Sequence, residues 1–185
     1  MRKLSGLIHE SRERVETTAR QNLQRNWQNG RLWWNDPDAV VLMGDLPENE
    51  FRFHATAIYA TGGMILSGDD LTRITAGRLA MLRQLQPPTG VAARFADDSF
   101  RVGTIKLPGR NVFCLFNWDN AVQRISFRLP VTSTVTDFWS GENLGEHAGD
   151  FVIDIPPHSA RLLVCSSEVE IGPIGQIDPI LFLKK

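Results

Sequence analysis

The sequence has only two cysteines in 185 residues, no excess of either charge, and no apolar run long enough to span a membrane. Each shortage removes a class of protein. Cys114 and Cys165 both lie in alternating or apolar, strand-like runs, where a reduced buried thiol is the default, so a disulfide-built fold is not expected. Lys plus Arg number 20 against 21 Asp plus Glu, a formal net charge of −1. With the arginines scattered, neither nucleic acid nor an anionic membrane surface is expected as the main partner. Leu4 to Ile8 is too short and interrupted for a signal-peptide core, so a cytoplasmic location is expected. His9, His54, His147 and His158 stand isolated, and no metal or cofactor is expected.

What is present suits a globular protein: 42% of residues are hydrophobic, enough for one large or two small domains. Over residues 5–29 the apolar positions Leu7, Ile8, Val15, Ala19, Leu23 and Trp27 recur at threes and fours, which predicts a helix ended by Asn29-Gly30. Leu32, Trp33 and Trp34 then predict a buried strand. Pro37 cannot continue a ladder, so Asp36 and Asp38 leave in a tight turn at the strand's C-terminal edge. That edge is where ligands sit in folds with parallel strands, so the two acids are either site residues or the local caps of an Asp-Pro turn.

A short apolar run at residues 40–43 follows. Pro47 and Glu48 predict the first turn of a second helix, with Phe51, His54, Ala55, Ile58 and Tyr59 on its apolar face and Gly62-Gly63 as its stop. Met64, Ile65 and Leu66 predict a second buried strand. Asp69 or Asp70 is expected to cap a third helix with Leu71, Ile74, Leu79, Leu82 and Leu85 inward, ended by Pro87-Pro88. After these prolines the period changes to two, with strand-like runs at residues 91–95, 100–105, 111–117, 122–129, 134–139, 151–155 and 161–165, the spacing of an antiparallel sandwich or barrel. The expected fold class is therefore α+β and multidomain, with a boundary near residues 87–91. The tail from residue 168 ends in an apolar patch, Ile180 to Leu183, that is either an edge strand or unrelated to the rest. Two buried strands cannot by themselves make a parallel sheet covered on both faces, so residues 1–88 read as a piece of a larger (β/α) structure, either the end of a longer protein or one completed by a partner.

Several segments, in order, resemble alpha-galactosidase (melibiase) type glycoside hydrolases. Leu32 to Asp38 (LWWNDPD) resembles the W-x-N-D-P-D segment ending the seventh strand of that family's catalytic (β/α)₈ barrel, and Gly62 to Asp70 (GGMILSGDD) resembles its eighth strand and Ser-x-Asp loop. Residues 112–118 (VFCLFNW), 137–145 (DFWSGENLG), and Pro157-His158 followed by Arg161-Leu162-Leu163 are similar to strands and a turn of its C-terminal β-sandwich. The resemblance covers roughly residues 10–165. It implies the end of the barrel at residues 1–88, the sandwich at 89–167 and a tail at 168–185.

The resemblance also implies chemistry. The family is a retaining hydrolase of terminal α-linked galactose, or N-acetylgalactosamine, using two carboxylates and no metal. Both carboxylates precede the W-x-N-D-P-D segment in the family, whereas no aspartate precedes Asp36 here and Glu10, Glu13 and Glu16 fall on a charged helix face. The catalytic pair is thus expected to be absent, and the first part of the barrel is the implied partner besides the carbohydrate substrate. What is implied here is one wall of the sugar pocket. Asp38 is placed as a contact to a substrate hydroxyl and Asp36 as the residue orienting the turn. Asp69 and Asp70 match the eighth-strand loop less closely, and Trp34, with Trp33, either faces sugar or packs in the core. Trp118, Trp139 and Phe151 are expected in the sandwich core, with Asp137 and His158 stabilising turns. The alternatives are a carbohydrate-binding or structural sandwich module and one subunit of a split hydrolase.

Overall fold

A computed structural model of the chain describes residues 12–44 and 47–167. Leu7, Ile8, His9, Glu10 and the apolar tail from residue 168 lie outside the described residues. Among the described residues the first part of the chain has three α-helices, α1 (Arg12–Gln24), α2 (Glu48–Ala60) and α3 (Ala76–Gln84). The remainder is six strands, β1 (Arg94–Phe95), β2 (Val102–Leu107), β3 (Arg110–Asn117), β4 (Gln123–Asp137), β5 (Asn143–Ile155) and β6 (Ser159–Ser166). All strand pairs are antiparallel, in the order β1-β2-β3-β6-β4-β5.

β3 and β6 are the middle layer. Their sequences, VFCLF and ARLLVC, are nearly continuous apolar runs because both faces of the layer are covered. One face, with Val112, Cys114, Phe116, Ala160 and Leu162, packs on the helices. The Phe53 ring of α2 meets Phe116 edge-on at 5.3 Å and Trp118 at 4.8 Å. The other face, with Phe113, Leu115, Leu163 and Cys165, meets Ile125, Phe127, Phe151 and Ile155 of β4 and β5, which fold back over it to close a sandwich. Phe113 and Phe127 stack across this interior at 4.0 Å. Cys114 and Cys165 are buried on opposite faces of the layer, which keeps them apart, and burial pushes the Cys165 thiol up to about 12.

The seven expected runs become six strands because residues 122–129 and 134–139 join as one long β4, with a register shift between Leu129 and Ser133 in place of a turn. Pro130 cannot donate to a ladder, and an irregular step is the usual accommodation. Beyond that step β4 pairs with β5 on one side and, over Thr134–Asp137, with β6 on the other.

α2 carries the helical core. Nine of its residues, among them every one expected on the apolar face, are buried, as befits a helix covered by α1 on one side and β3 and β6 on the other. α1 buries Val15, Ala19 and Leu23 as expected but ends at Gln24, before a 3₁₀ turn (Asn26–Gln28) that leaves Trp27 exposed. α3 begins at Ala76, and its cap is Thr75, whose Oγ1 accepts from the Arg78 amide at 3.3 Å, so neither Asp69 nor Asp70 caps it. Of its expected inward residues Leu85 is fully buried, Ile74 and Leu82 are partly so, and Leu71 is exposed.

The two expected parallel strands depart most from expectation. Leu32, Trp33 and Trp34 are neither a regular strand nor buried; they are 57%, 56% and 59% exposed. Residues 35–40 and 64–66 do run side by side, with Met64 N–H donating to Asn35 O at 2.8 Å and Val40 N–H to Leu66 O at 2.8 Å, but only an isolated bridge, Ala39 with Leu66, forms. Two short strands by themselves are marginally stable, and no named strand lies beside this pair among the described residues.

Candidate functional site

Two helices of the N-terminal part meet the Asp-Pro-Asp turn, and a neighbouring segment holds the loop that follows it. From α1, Asn22 Nδ2 donates to Pro37 O at 2.9 Å. From α2, buried His54 brings Nε2 within 3.2 Å of Ala39 O. From the neighbouring segment, Asp69 Oδ2 accepts from the Leu42 amide at 2.7 Å and from Ser67 Oγ at 3.3 Å. Two helices therefore brace the turn while Asp69 anchors the loop after it, which is the support a binding residue needs if its side chain is to be held in place.

Within the turn, Asp36 Oδ1 accepts from the Asp38 amide at 3.0 Å, an Asx-type closure. Asp38 has φ +73°, a left-handed conformation that a non-glycine residue adopts uncommonly, and its Oδ1 accepts from the Ala39 amide at 2.7 Å. Its second carboxylate oxygen has no partner among the described residues, and the side chain is exposed. Backbone held in a sparsely populated region is found preferentially at ligand sites. Asp70 closes a separate turn by accepting from the Thr72 hydroxyl at 2.6 Å and the Thr72 amide at 3.0 Å. Those two bonds, the hydroxyl first, hold its carboxyl below the usual range.

The candidates thus separate into two groups. Asp36, Asp38 and Trp34 lie together on residues 34–38, and Trp34, exposed rather than in the core, lies against Gly90, where an added Cβ would come 3.7 Å from its ring. Asp69 is half-buried and spends its carboxylate on the chain. An open cleft of about 380 Å³ runs between Asn22 of α1, Arg25 just after it, and residues 33–37. A larger cleft of about 610 Å³, between the 3₁₀ turn and β1, touches none of the four candidates. Among the described residues no group of three His, Cys, Asp or Glu side chains could hold a metal ion.

Sequence reasoning passed over Asn35. It is buried; its amide donates to Asn29 Oδ1 at 2.9 Å, its side chain donates to Arg25 O at 3.2 Å, and its carbonyl receives Met64 N–H. A lone amide between a tryptophan and an acid was the available signal, since a polar residue in an apolar run is there to be bonded. Gly63 belongs with it: an added Cβ would lie 2.1 Å from Asn35 O, so only glycine lets the two segments approach.

No family model and no curated protein matches the sequence. Solved structures do match. The GH27 β-L-arabinopyranosidase of Geobacillus stearothermophilus superposes with a TM-score of 0.75 at 18% identity, over 88% of this chain and 44% of that one. The chain has the fold of the C-terminal portion of an alpha-galactosidase-type hydrolase. Alpha-galactosidase I of Mortierella vinacea matches with a TM-score of 0.68 at 20% identity, covering 82% of this chain and 44% of its own. The alpha-galactosidase of Saccharomyces cerevisiae, solved with raffinose, gives 0.65 at 13% identity over 82% and 51%. The fold class is therefore the end of a (β/α)₈ barrel followed by an antiparallel β-sandwich, and the chain spans about 44% of the length of the first two relatives.

The sandwich motifs serve as joints in this alpha-galactosidase-type fold. Buried Asp137 Oδ1 accepts from the amides of Trp139 and Ser140 at 3.0 and 2.9 Å, while its Oδ2 takes Arg161 Nη1 at 2.8 Å. The turn so formed sends Trp139 Nε1 to Thr56 Oγ1 of α2 at 3.2 Å. Phe151 is buried inside the sandwich as expected, whereas Trp118 is buried on the helix side and Trp139 is only half-buried there, and His158 Nε2 lies 2.9 Å from Asn120 Oδ1.

Proposed function

We propose that this chain is the C-terminal part of a retaining alpha-galactosidase-like glycoside hydrolase acting on terminal α-linked galactosides. Residues 1–88 belong to the barrel, residues 89–167 form the sandwich, and residues 34–38 supply one wall of the sugar pocket. The observation that carries the reading is the Asp-Pro-Asp turn: α1 and α2 brace it, yet Asp38 keeps a strained backbone and an unengaged carboxylate oxygen. In this reading Asp38 accepts from a sugar hydroxyl, Asp36 holds the turn, Trp34 offers an aromatic face to pyranose C–H groups, and Asp69 fixes the loop behind them. The nucleophile and the acid/base have no counterpart among residues 1–185, so the chain by itself is inactive, and the chemistry comes from polypeptide carrying the earlier strands.

A single wall binds sugar weakly, because a pocket holds its ligand by enclosing most of its surface. Calorimetry with galactose and melibiose tests this: no heat at millimolar ligand fits a wall lacking its counterpart. A saturating isotherm at that concentration would favour the alternative, a carbohydrate-binding sandwich module.

A further inference from the structure

We infer that a cleft between α2 and β6 binds an oxyanion, the carboxylate, sulfate or phosphate group of a small ligand, through the guanidinium groups of Arg52 and Arg161 beside the Trp139 ring. The cleft shares no lining residue with the Asp-Pro-Asp turn, so this site and the sugar-wall reading stand or fall separately.

The cleft has a volume of about 400 Å³, the size of a small-molecule site, and Arg52, Trp139, Ser159 and Arg161 are among its lining. Its walls are tied to each other. Asn49 Nδ2 of α2 donates to His158 O in the turn between β5 and β6 at 3.3 Å, and Trp139 Nε1 donates to Thr56 Oγ1 of α2 at 3.2 Å. Cross-tied walls keep a cleft in one shape, which lowers the cost of binding. The charges around it do not balance. Three guanidiniums share two carboxylates: Glu48 takes Arg52 at 3.1 Å and Arg78 at 3.0 Å, and Asp137 takes Arg161 at 2.8 Å. The other oxygen of Asp137 is already committed to the Trp139 and Ser140 amides. Donors are left over. Among the described residues Arg52 donates only through Nε and Arg161 only through Nη1, while Arg78 Nη1 is buried with no acceptor. Surplus N–H groups and surplus positive charge suit a ligand that brings acceptor oxygens and negative charge, and a guanidinium fork matches carboxylate, sulfate or phosphate with paired bonds. The half-buried Trp139 ring offers a flat apolar wall to whatever carries that group.

The test titrates the full isotope-labelled chain with sodium sulfate, sodium phosphate, galacturonate and, as the neutral control, galactose, all at fixed ionic strength. The readout is the Trp139 indole N–H resonance, identified by its loss in W139F. The expected result is a saturable shift with at least one of the three anions and none with galactose. Saturation by sulfate or phosphate alone makes the ligand a free tetrahedral anion, and saturation by galacturonate alone makes it an acidic sugar. R52Q, which gives up only a surface ion pair, should melt like the parent and bind about tenfold or more weakly. R124Q removes an equal charge from an exposed pair on β4 and should bind as the parent does. The proposal is overturned if no anion shifts the resonance at tens of millimolar, if galactose shifts it as far, or if R52Q binds as tightly as the parent. Equal weakening by R52Q and R124Q would also overturn it, by making the effect one of overall charge.

Discussion

Asp69 Oδ2 accepts the Leu42 amide at 2.7 Å, joining two segments 27 residues apart in sequence and tying the loop after the Asp-Pro-Asp turn to the loop after Leu66. A half-buried carboxylate used in this way is an anchor. Asp69→Ala should cost about 1.5–3 kcal/mol, the usual worth of a charge-assisted bond, and lower Tm by roughly 3–12 °C for a chain of this size. Hydrogen exchange reads it directly, since the Leu42 amide should lose protection. An unchanged Leu42 rate would show that the bond does not hold the loop.

Glycine at position 63 is required by contact and glycine at position 77 is not. A Cβ at Gly63 would meet Asn35 O at 2.1 Å, whereas at Gly77, inside α3, nothing lies within 4 Å. Gly63→Ala should destabilise by more than about 2 kcal/mol through forced separation of the two segments. Gly77→Ala should stabilise by about 0.5–1 kcal/mol through helix propensity. Thermal melts of the pair check both signs.

The fold was legible where one physical effect acted alone. α2 and β3 have strong periodic or continuous apolar patterns, and burial follows pattern. The runs at 122–129 and 134–139 are separate in the apolar pattern, while in the folded chain a shifted register joins them into one β4. Cap chemistry was ambiguous at Asp69, Asp70 and Thr75, all of which can accept from an amide; tertiary contacts decided it, drawing Asp69 to Leu42 and leaving Thr75 to the helix. The tryptophans at 33 and 34 were expected in the core because large aromatic residues usually belong there, and pattern alone carries no information on whether the covering elements are in the same chain. The grouping of Asp36 and Asp38 is visible in sequence, but the strained φ of Asp38, the bracing of the turn by Asn22 and His54, and the anchoring of the next loop by Asp69 are properties of the folded chain.

Asp137 should set part of the acid limit of stability. Burial pushes its carboxyl up, but the bonds from the Ser140 amide, the Arg161 guanidinium and the Ser140 hydroxyl outweigh burial and leave it below the usual value. A folded-state value below the unfolded one, about 3.9, means the stabilisation is present above that pH and is lost as pH falls through the folded value. Asp137→Asn should cost about 2–3 kcal/mol at pH 7 by removing a charged partner of Arg161. The gap between variant and parent should narrow as pH falls from about 5 to 2. Urea melts at pH 7 and pH 3 check it; a gap that widens at acid pH would give the opposite sign.

Asp38 occupies a conformation that glycine adopts at no cost. Asp38→Gly should therefore melt no lower than the parent, whereas Asp38→Ala, which keeps the Cβ and loses the bond to the Ala39 amide, should lose about 1 kcal/mol. Differential scanning calorimetry of the three proteins separates these outcomes. A large loss for Asp38→Gly would make the carboxylate a stability element, where the account has it free for a ligand.

Hydrolysis of a nitrophenyl α-galactoside by the purified chain alone tests the central claim, that these residues build a pocket wall while the reacting carboxylates lie elsewhere. The account predicts release of nitrophenol at the buffer rate at every pH tried. Turnover above that rate, abolished by substituting an acid within residues 12–167, would contradict it.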